Sequence, residues 1–402
     1  MMKLDNFIGM MTGYFDNKEQ FMEMKEAGKS FPYAQHINTV CNDKIKNIVI
    51  TVMFITILVI TMIVNIIKKD DDISISEKRK LEQFPQFSTR QLFNGTFFNK
   101  LEKYTTDQFI ARENLRALKV NVELKAFQRK DYNNVYKYGE HLIKQEYPLK
   151  QKSVTNFISK IKLIRDTYLN EKNNAYFVMV PDKNYYVDDG NLKLDYNMLK
   201  EEVKHNLDFV TYIDINDLLS LSNFYYTDLH WKQETLLPVA ERIADIMGIT
   251  ISNNYTEEKI TDFKGTYARQ LPVKSTTDEI IAMRNDTLEN CKVYNYKKKG
   301  YIDVYDLSQA NGNDRYGVYL SGSTPILTID NPEYEGTKEL IVFKDSFGSS
   351  LVPLLVQGYS KITLLDTRYI STKMIGQYVD FTDKDVLFIY NTVVINNSEA
   401  MK

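Results

Sequence analysis

The sequence predicts an α/β protein in which a parallel sheet carries helices on both faces, preceded by a single transmembrane helix. Two observations predict this class. Along the second half of the chain, short apolar runs typical of strands alternate with amphipathic segments typical of helices, which is the pattern of a parallel sheet. Nearer the N-terminus, one uninterrupted apolar run is long enough to cross a bilayer.

The transmembrane helix is predicted at residues 48–67, IVITVMFITILVITMIVNII, where sixteen of twenty residues are apolar. Twenty helical residues rise roughly 30 Å, the thickness of a bilayer core. The run starts too far into the chain for an ordinary signal peptide, and no small-residue cleavage site follows it. A wholly buried helix of a soluble protein is the alternative. We therefore predict a single-pass protein of the cell membrane with an N-terminal tail at residues 1–47, which is cytoplasmic if the C-terminal domain lies outside.

Charges beside this run bear on its orientation. The residues before it include Lys44 and Lys46, and those after it include Lys68, Lys69, Lys78, Arg79 and Lys80. More basic residues follow the run than precede it, so the positive-inside rule predicts that the C-terminal part stays in the cytoplasm. The rule is weaker for long translocated domains, and terminal lysines can snorkel to headgroups on either face. Charge alone leaves the orientation open.

Composition and spacing argue against nucleic acid as a partner, and against an internal disulfide and a metal site. A net charge of −2 offers no basic stripe for nucleic acid. Cys41 and Cys291 fall on opposite sides of the predicted span, so no internal disulfide is expected. Asp228 and His230 lack a third ligand nearby in the sequence, so we expect no metal. No cofactor is expected either.

The rest of the chain divides into a charged juxtamembrane linker, residues 68–98, and an α/β domain, residues 99–402. A long helix is predicted from Asn99 to about Arg129, because apolar residues recur there at the spacing of one helix face. The strands and helices of the sheet follow. Residues 251–335 interrupt their alternation with turn-rich sequence, and we interpret them as a cap or a long insertion.

Ser346, in the stretch VFKDSFGSS, is the candidate nucleophile. It follows an apolar strand and precedes a helix-forming run, which places it at the carboxyl edge of a parallel sheet, where such sheets bind ligands. Amides at the helix start can stabilise an oxyanion. The alternative is that Asp345 or Ser346 serves only as a helix N-cap.

Asp228 and His230, in the stretch YYTDLHWK, supply what a serine nucleophile needs. A general base must reach the serine, and a partner must fix the tautomer of the base. In an extended segment residues two apart face the same side, so Asp228 can hold one imidazole nitrogen while the other faces Ser346. The alternative is that His230 is a polar loop residue packed on Trp231.

These motifs resemble the DHHW proteins of Gram-positive bacteria, which are relatives of the alginate O-acetylation proteins and carry an SGNH-hydrolase-like domain. The resemblance covers about residues 76–395. Besides Asp-x-His-Trp and Asp-Ser-Phe, it rests on the stretches EKYTTDQFIARENL (102–115), VPDKNYY (180–186), FKGTYAR (263–269) and LLDTRYI (364–370). The first histidine of the family's Asp-His-His-Trp is Leu229 here.

The resemblance implies a serine acyl-enzyme mechanism with Ser346 as nucleophile, His230 as base and Asp228 orienting His230. It further implies an extracytoplasmic C-terminal domain, a cell-surface polysaccharide as acceptor and a multi-pass membrane-bound O-acyltransferase as donor-side partner. Where the family's pattern suggests a Gly-Gly-Asn-like oxyanion segment, this chain has Ser-Gly-Ser-Thr-Pro. Ser323 or backbone amides would then have to serve as oxyanion donors.

Four further residues are candidates for substrate binding, each with a structural alternative. Lys183 would bind an anionic or acyl-donor group, or be a solvated strand end. Tyr267 would line the cleft or hold a turn. Arg368 would touch substrate or pair with Asp366. Trp231 would stack on a sugar or shield the triad from water.

Three functions are consistent with these residues. The favoured one is a serine-dependent O-acetyltransferase acting on a cell-surface polysaccharide. The second is a carbohydrate esterase, which would use the same triad with water as acceptor. The third is a non-catalytic scaffold or binding protein of the cell envelope. The altered oxyanion segment favours this third reading, and the complete set of Asp228, His230 and Ser346 opposes it.

Overall fold

The computed structural model describes residues 13–38, 44–74, 79–188, 190–312 and 314–402. Cys41 and Lys78 lie outside these ranges. The chain forms two compact units. The N-terminal unit comprises Met1–Asp71 and Glu82–Ile110, and the larger unit comprises Asp72–Leu81 and Ala111–Lys402.

The N-terminal unit contains an antiparallel strand pair and helices. Its strands are β1 (Gly13–Asp16) and β2 (Gln35–Asn38). Its helices are α1 (Lys18–Glu26), α2 (Lys44–Ile67), α3 (Thr89–Phe93) and α4 (Thr96–Asp107). The predicted linker 68–98 therefore includes a short helix, α3, which its charged composition did not indicate.

Helix α2 contains the predicted membrane span. Its stretch Lys46–Ile67 has a mean hydropathy of 2.7 over its most apolar window, and none of that window is buried within the chain. By length and composition the helix can cross a membrane. The alternative of a buried core helix is not what the structure shows, because none of the described side chains of this helix is buried.

The larger unit is a mixed α/β domain. Its strands are β3 (Ile73–Ser74), β4 (Arg79–Lys80), β5 (Val135–Tyr138), β6 (His141–Lys144), β7 (Ala175–Val180), β8 (Thr211–Ile213), β9 (Thr256–Phe263), β10 (Asp278–Arg284), β11 (Lys292–Asn295), β12 (Gly300–Ile302), β13 (Ile326–Asp330), β14 (Glu339–Lys344), β15 (Lys361–Leu365) and β16 (Asp385–Asn391). Its helices are α5 (Arg112–Lys125), α6 (Gln151–Tyr168), α7 (Tyr196–Asn206), α8 (Leu237–Met247), α9 (Thr266–Gln270), α10 (Asp286–Asn290), α11 (Gly348–Leu351) and α12 (Thr392–Ile395).

An eight-stranded sheet in the order β12-β11-β13-β15-β14-β16-β7-β8 forms the centre of this domain. The five strands from β15 to β8 run parallel to one another. Strand β14 lies between β15 and β16, and its Phe343 pairs with Leu365 of β15 and Phe388 of β16. Strands β13, β11 and β12 continue the sheet in antiparallel fashion.

Both faces of the sheet are covered, as the α/β class predicts. Side chains alternate between the faces along each strand, so Leu340 and Val342 of β14 join one core while Ile341 and Phe343 join the other. Helix α8 packs in the first core. Helices α6 and α7 pack in the second. Because both faces are buried, the parallel strands are apolar at nearly every position.

The segment 251–335 does not form a separate cap, because part of it belongs to the main sheet. Strands β9 and β10 form an antiparallel pair outside the main sheet. Strands β11, β12 and β13 belong to the sheet and extend it by one edge. Three strands of the main sheet therefore lie in a segment whose turn-rich sequence did not predict them.

The helix predicted over residues 99–129 is broken. Helix α4 ends at Asp107 and α5 begins at Arg112, and Ala111 between them has a left-handed backbone with φ of 54°. A residue in that conformation cannot continue a right-handed helix. The apolar residues that share one helix face belong to α5, and their side chains are exposed, namely Leu115, Leu118 and Val122.

Candidate active site

The three predicted triad residues lie at the carboxyl edge of the parallel strands. Ser346 follows β14, and Asp228 and His230 lie in the loop that follows β8. Strands β16 and β7 separate β14 from β8 in the sheet. Since parallel strands end at a common edge, residues 116 positions apart in sequence come together there.

A continuous hydrogen-bonded chain joins these residues. His230 Nδ1 lies 2.6 Å from Asp228 Oδ1, and His230 Nε2 lies 2.7 Å from Ser346 Oγ. Asp228 and His230 are buried, whereas Ser346 is partly exposed. A carboxylate only accepts hydrogen bonds, so Nδ1 carries the ring proton and Nε2 is free to accept one from Ser346.

The second oxygen of Asp228 is held from the opposite side. The Thr266 amide donates to Asp228 Oδ2 over 2.8 Å, and the preceding Gly265 amide donates to Thr227 Oγ1 over 2.8 Å. A Cβ added to Gly265 would lie 2.3 Å from Asp228 Cβ. Only glycine therefore allows the backbone of this segment to reach the carboxylate.

Lys183 is 2 % exposed and supports the loop that carries Asp228. Its ammonium donates to the carbonyl oxygens of Leu142, Tyr225 and Asp228 over 2.6, 2.7 and 3.0 Å. Burial lowers the pKa of Lys183 to about 7. Its donors face main-chain carbonyls, so the structure does not present Lys183 to a ligand, in contrast to the role considered from the sequence.

Asp278 fixes the same loop through its backbone amides. The Asp278 carboxylate accepts hydrogen bonds from the amides of Tyr226 over 2.6 Å and Thr227 over 2.7 Å, and from the Thr227 hydroxyl. Burial raises the pKa of Asp278. The loop is thus held by a buried cation at its carbonyls and a buried carboxyl group at its amides.

Tyr316 covers the imidazole of His230. The two rings are stacked with centroids 3.7 Å apart and planes inclined by 6°. The Tyr316 hydroxyl lies 2.7 Å from Ser350 Oγ in α11. Burial raises the pKa of Tyr316 well above its ordinary value, so a neutral phenol fixes the plane of the imidazole.

Trp231 packs beneath the nucleophile turn. Its Nε1 donates to Ser350 Oγ over 2.9 Å and to the Phe347 carbonyl over 3.1 Å, and it has no exposed surface. Of the two roles considered, stacking on a sugar requires an accessible face, which Trp231 lacks. Its position fits the exclusion of water from the triad.

Asp345 shapes the turn on which Ser346 lies. Its carboxylate accepts from the Phe347 amide over 2.9 Å and from the Asn391 amide at the end of β16 over 2.7 Å. Burial raises the pKa of Asp345. The alternative that Asp345 or Ser346 is only a helix N-cap is wrong, because Phe347 is the N-cap of α11 and no side chain caps it. Ser346 Oγ faces His230.

The remaining predicted residues lie around this centre. Tyr267 is buried in α9, and its ring centroid lies 5.5 Å from the Lys183 ammonium. Arg368 forms a two-pronged salt bridge with buried Asp366, over 2.9 and 2.7 Å, which is the structural alternative. Ser323 is exposed on the segment leading into β13, and that segment reaches the same sheet edge because β13 runs antiparallel.

Several supporting residues were not predicted from the sequence. Gly265 and Thr266 lie in the stretch FKGTYAR, where the glycine was the available signal for a close backbone approach. Tyr316, Ser350 and Asp278 offered no such signal, because each acts through a contact between distant segments. Within the described ranges, no group of three or more His, Cys, Asp or Glu side chains is arranged to hold a metal ion.

The fold is similar to that of solved bacterial proteins. A DHHW family protein from Eubacterium siraeum matches with a TM-score of 0.56 and 18 % identity, covering 67 % of this chain and 95 % of that one. The chain has the DHHW protein fold. PatB1 from Bacillus cereus matches with a TM-score of 0.51 and 14 % identity over 65 % of this chain and 96 % of that one.

A second structure of Bacillus cereus PatB1, with a sulfonyl adduct, matches with a TM-score of 0.52 and 16 % identity over 65 % of this chain and 95 % of that one. No family model matches the sequence, and no curated protein matches it. The likeness therefore confirms the predicted α/β fold class and the resemblance to the DHHW proteins at the level of fold.

Proposed function

We propose that this protein is a serine-dependent O-acetyltransferase that modifies a cell-surface polysaccharide through an acetyl-Ser346 intermediate. The observation that carries the proposal is the hydrogen-bonded chain from Asp228 through His230 to Ser346, with distances of 2.6 and 2.7 Å. This is the arrangement of an activated serine. The DHHW-like fold of the whole domain supports it.

In the first half-reaction, Ser346 Oγ attacks the carbonyl carbon of an acetyl donor while His230 Nε2 takes the Oγ proton. The bond from acetyl carbon to the leaving group breaks, and the leaving group receives that proton from His230. In the second half-reaction, His230 takes a proton from an acceptor hydroxyl, whose oxygen attacks the acetyl carbon. Ser346 Oγ leaves and is reprotonated by His230, while Asp228 stabilises the transient imidazolium.

Backbone amides at the nucleophile turn are the proposed oxyanion donors. The Phe347 amide is already bonded to Asp345 Oδ1. Gly348 begins α11, so its amide has no acceptor one turn earlier within the helix, and the Ser346 amide is the other donor of this turn. The amides of Ser346 and Gly348 would take the place of the asparagine side chain of the family's Gly-Gly-Asn-like segment, since this chain has Ser-Gly-Ser-Thr-Pro there.

The membrane arrangement belongs to the same proposal. Helix α2 would anchor the protein, and the catalytic domain would lie outside the cytoplasm, where cell-surface polysaccharide is found. A multi-pass membrane-bound O-acyltransferase is the proposed source of acetyl groups, since acetyl-CoA does not cross the bilayer. These assignments rest on the resemblance to the DHHW proteins and on the apolar helix.

The test is the detection of the acyl-enzyme. The full-length chain in mild detergent is treated with a chromogenic acetyl ester, and mass spectrometry locates an acetyl group on Ser346. Ser346→Ala should lose the adduct and at least roughly 10³-fold in turnover. Ser159→Ala, which alters an exposed serine of α6, is the matched control. A sulfonyl fluoride should label Ser346 and not the alanine variant.

The outcomes separate the candidate functions. Acetylation of Ser346 with transfer to an added oligosaccharide supports the transferase. Acetylation that water alone discharges supports the esterase. A folded protein that forms neither acetyl nor sulfonyl adducts contradicts both enzymes and favours the non-catalytic scaffold.

A further inference from the structure

Phenylalanine is concentrated in one short segment that follows the predicted membrane span. Residues 84–98, FPQFSTRQLFNGTFF, contain five of the 21 phenylalanines of the chain. Four of them are more than half exposed and are called the phenylalanine patch here: Phe84 at 62 %, Phe87 at 69 %, Phe93 at 89 % and Phe98 at 58 %. So many exposed apolar rings in one segment are typical of a surface that binds a membrane or another protein.

The rings of the patch are attached to helix α4 by aromatic contacts. Phe87 and Phe98 each lie against Phe97, with centroids 5.9 and 5.8 Å apart. Phe84 lies against Tyr104, with centroids 5.3 Å apart and planes inclined by 88°. Edge-to-face contacts of this kind are favourable, so the position of α4 determines the position of the patch.

Helix α4 is in turn bonded to the end of α2. Asn65, in the last turn of α2, accepts a hydrogen bond from the Ile110 amide over 2.7 Å. The buried Gln108 side chain donates to the Asp71 carbonyl and accepts from the Asp71 amide, each over 2.9 Å. The stretch EKYTTDQFIARENL, which supplies no residue of the triad, therefore joins the end of α4 to the end of the apolar helix.

These bonds determine the depth of the patch relative to a bilayer that α2 crosses. The 22 residues of Lys46–Ile67 rise roughly 33 Å, about the thickness of the hydrocarbon core, so Asn65 lies near its boundary. Tyr104, which contacts Phe84, donates to Asp70 just beyond α2 over 3.1 Å. The end of α4 and Phe84 therefore lie at the level of the lipid headgroups, where aromatic side chains are favoured.

We propose that the phenylalanine patch lies in the headgroup region of the membrane that α2 crosses, as a second, peripheral membrane contact. The local charge suits this contact, because residues 83–101 contain Arg90 and Lys100 and no acidic residue, and lipid phosphates attract basic residues. Lipid is favoured over a second copy of the chain because α2 brings a bilayer next to the patch. The contact would remove the exposed rings from water.

Fluorescence in lipid vesicles tests the contact. Full-length Phe93→Trp is reconstituted in vesicles of phosphatidylcholine and phosphatidylglycerol with acyl chains brominated close to the headgroup. The parent chain supplies the background, because its single tryptophan, Trp231, has no exposed surface. We expect the bromines to quench at least roughly half of the added fluorescence, since an interfacial apolar face is buried about 5–10 Å into the headgroup boundary.

Three further variants serve as controls. Phe54→Trp alters an exposed ring of α2 and should be quenched by the brominated lipid. Tyr301→Trp alters an exposed ring outside the patch, and it should be quenched by aqueous acrylamide and much less by lipid. Adding Phe84→Ser and Phe87→Ser to Phe93→Trp should lower the lipid quenching several-fold, while thermal unfolding shows that the chain stays folded.

The inference is overturned if brominated lipid does not quench Phe93→Trp. Acrylamide quenching as strong as in Tyr301→Trp would then show that the patch stays in water. Protection from both quenchers would show that protein covers the patch, and cross-linking would identify a second copy. Equal lipid quenching in Tyr301→Trp would show that the contact is not specific to the patch, and an unquenched Phe54→Trp would contradict the membrane span as well. Acetylation of Ser346 is measured separately, so neither proposal depends on the other.

Discussion

Gly265 lies against Asp228 so closely that no side chain fits between them. The contact allows the Thr266 amide to reach Asp228 Oδ2, while Oδ1 bonds His230. The Asp228 carboxylate is thus oriented by a backbone segment that carries no ionisable side chain at the contact. Motif reading finds the reactive residues, because the chemistry restricts their types and spacing. It does not find their supports, because many residue types can supply an amide or a carbonyl.

We expect Gly265→Ala to lower kcat roughly 10²-fold, the effect of about 1 Å of misplacement. The new Cβ would push Asp228 away from Thr266 and His230. The measurement is the rate of acetyl-ester turnover. Gly300→Ala is the matched control, since a Cβ there meets nothing within 4 Å, and it should keep the parent rate. An unchanged rate in Gly265→Ala would show that the orientation of Asp228 is not required.

Lys183→Met should reduce both activity and stability. The change removes the donor shared by the carbonyls of Leu142, Tyr225 and Asp228, and an unsatisfied buried acceptor costs about 1–3 kcal/mol. Thermal unfolding and turnover are measured side by side. Lys172→Met, at an exposed lysine, is the comparison. A fully active and equally stable Lys183→Met would show that the loop carrying Asp228 keeps its conformation without the lysine.

At the scale of elements, a hydrogen-bonded junction centred on Ser350 joins the loop that carries His230 to helix α11. Ser350 Oγ in α11 contacts both Trp231 Nε1 and the Tyr316 hydroxyl. Trp231 is adjacent to His230 in sequence, and Tyr316 is stacked on it. The junction therefore couples the position of the base to that of the nucleophile.

Trp231→Phe should lower the free energy of unfolding by about 1–3 kcal/mol, because Ser350 Oγ and the Phe347 carbonyl lose their donor. Tyr316→Phe keeps the ring on His230 and removes only the hydroxyl. A double-mutant cycle in denaturant measures the coupling between them. Effects that simply add would contradict the junction.

The elements themselves were predicted unevenly. Strands β7, β14, β15 and β16 follow from apolar runs, since burial on both faces requires such runs. The break at Ala111 did not follow from the helical spacing, because alanine gives no signal for a left-handed backbone. Exposure of Leu118 on α5 likewise could not be read from spacing, which reports a shared face and not its burial.

At the scale of the whole molecule, the parallel half of the sheet was predictable and the antiparallel half was not. Alternation of strands and helices specifies parallel connections. Strands β11, β12 and β13 are short and separated by turns, and their pairing depends on a long return of the chain to β15. Local sequence contains little information about such a return.

Stability should fall as pH rises from about 4.5 to 7, in part because of Glu234. Burial raises its pKa from 4.5 to about 7, and within the described residues its Oε2 is buried without a hydrogen-bond partner. The folded state therefore holds a proton that the unfolded state releases in this window, so ionisation costs stability as pH rises.

Glu234→Gln removes this titration. Relative to the parent, the variant should gain roughly 3 kcal/mol of unfolding free energy between about pH 4.5 and pH 8, since the pKa of Glu234 rises from 4.5 to about 7 and one pKa unit corresponds to about 1.4 kcal/mol. Unfolding is followed in denaturant across this range. A constant difference between the two proteins at all pH values would exclude Glu234 as the source.

Strand β16 lies between β14 and β7 in the sheet, although it follows all three triad residues in the chain. Chains are synthesised from the N-terminus, so a growing chain contains Asp228, His230 and Ser346 before it contains the strand that sets them at their proper separation. The Asn391 amide that holds Asp345 also arrives with β16. The hydrogen-bonded arrangement of Asp228, His230 and Ser346 is therefore expected to form only after synthesis has passed this strand.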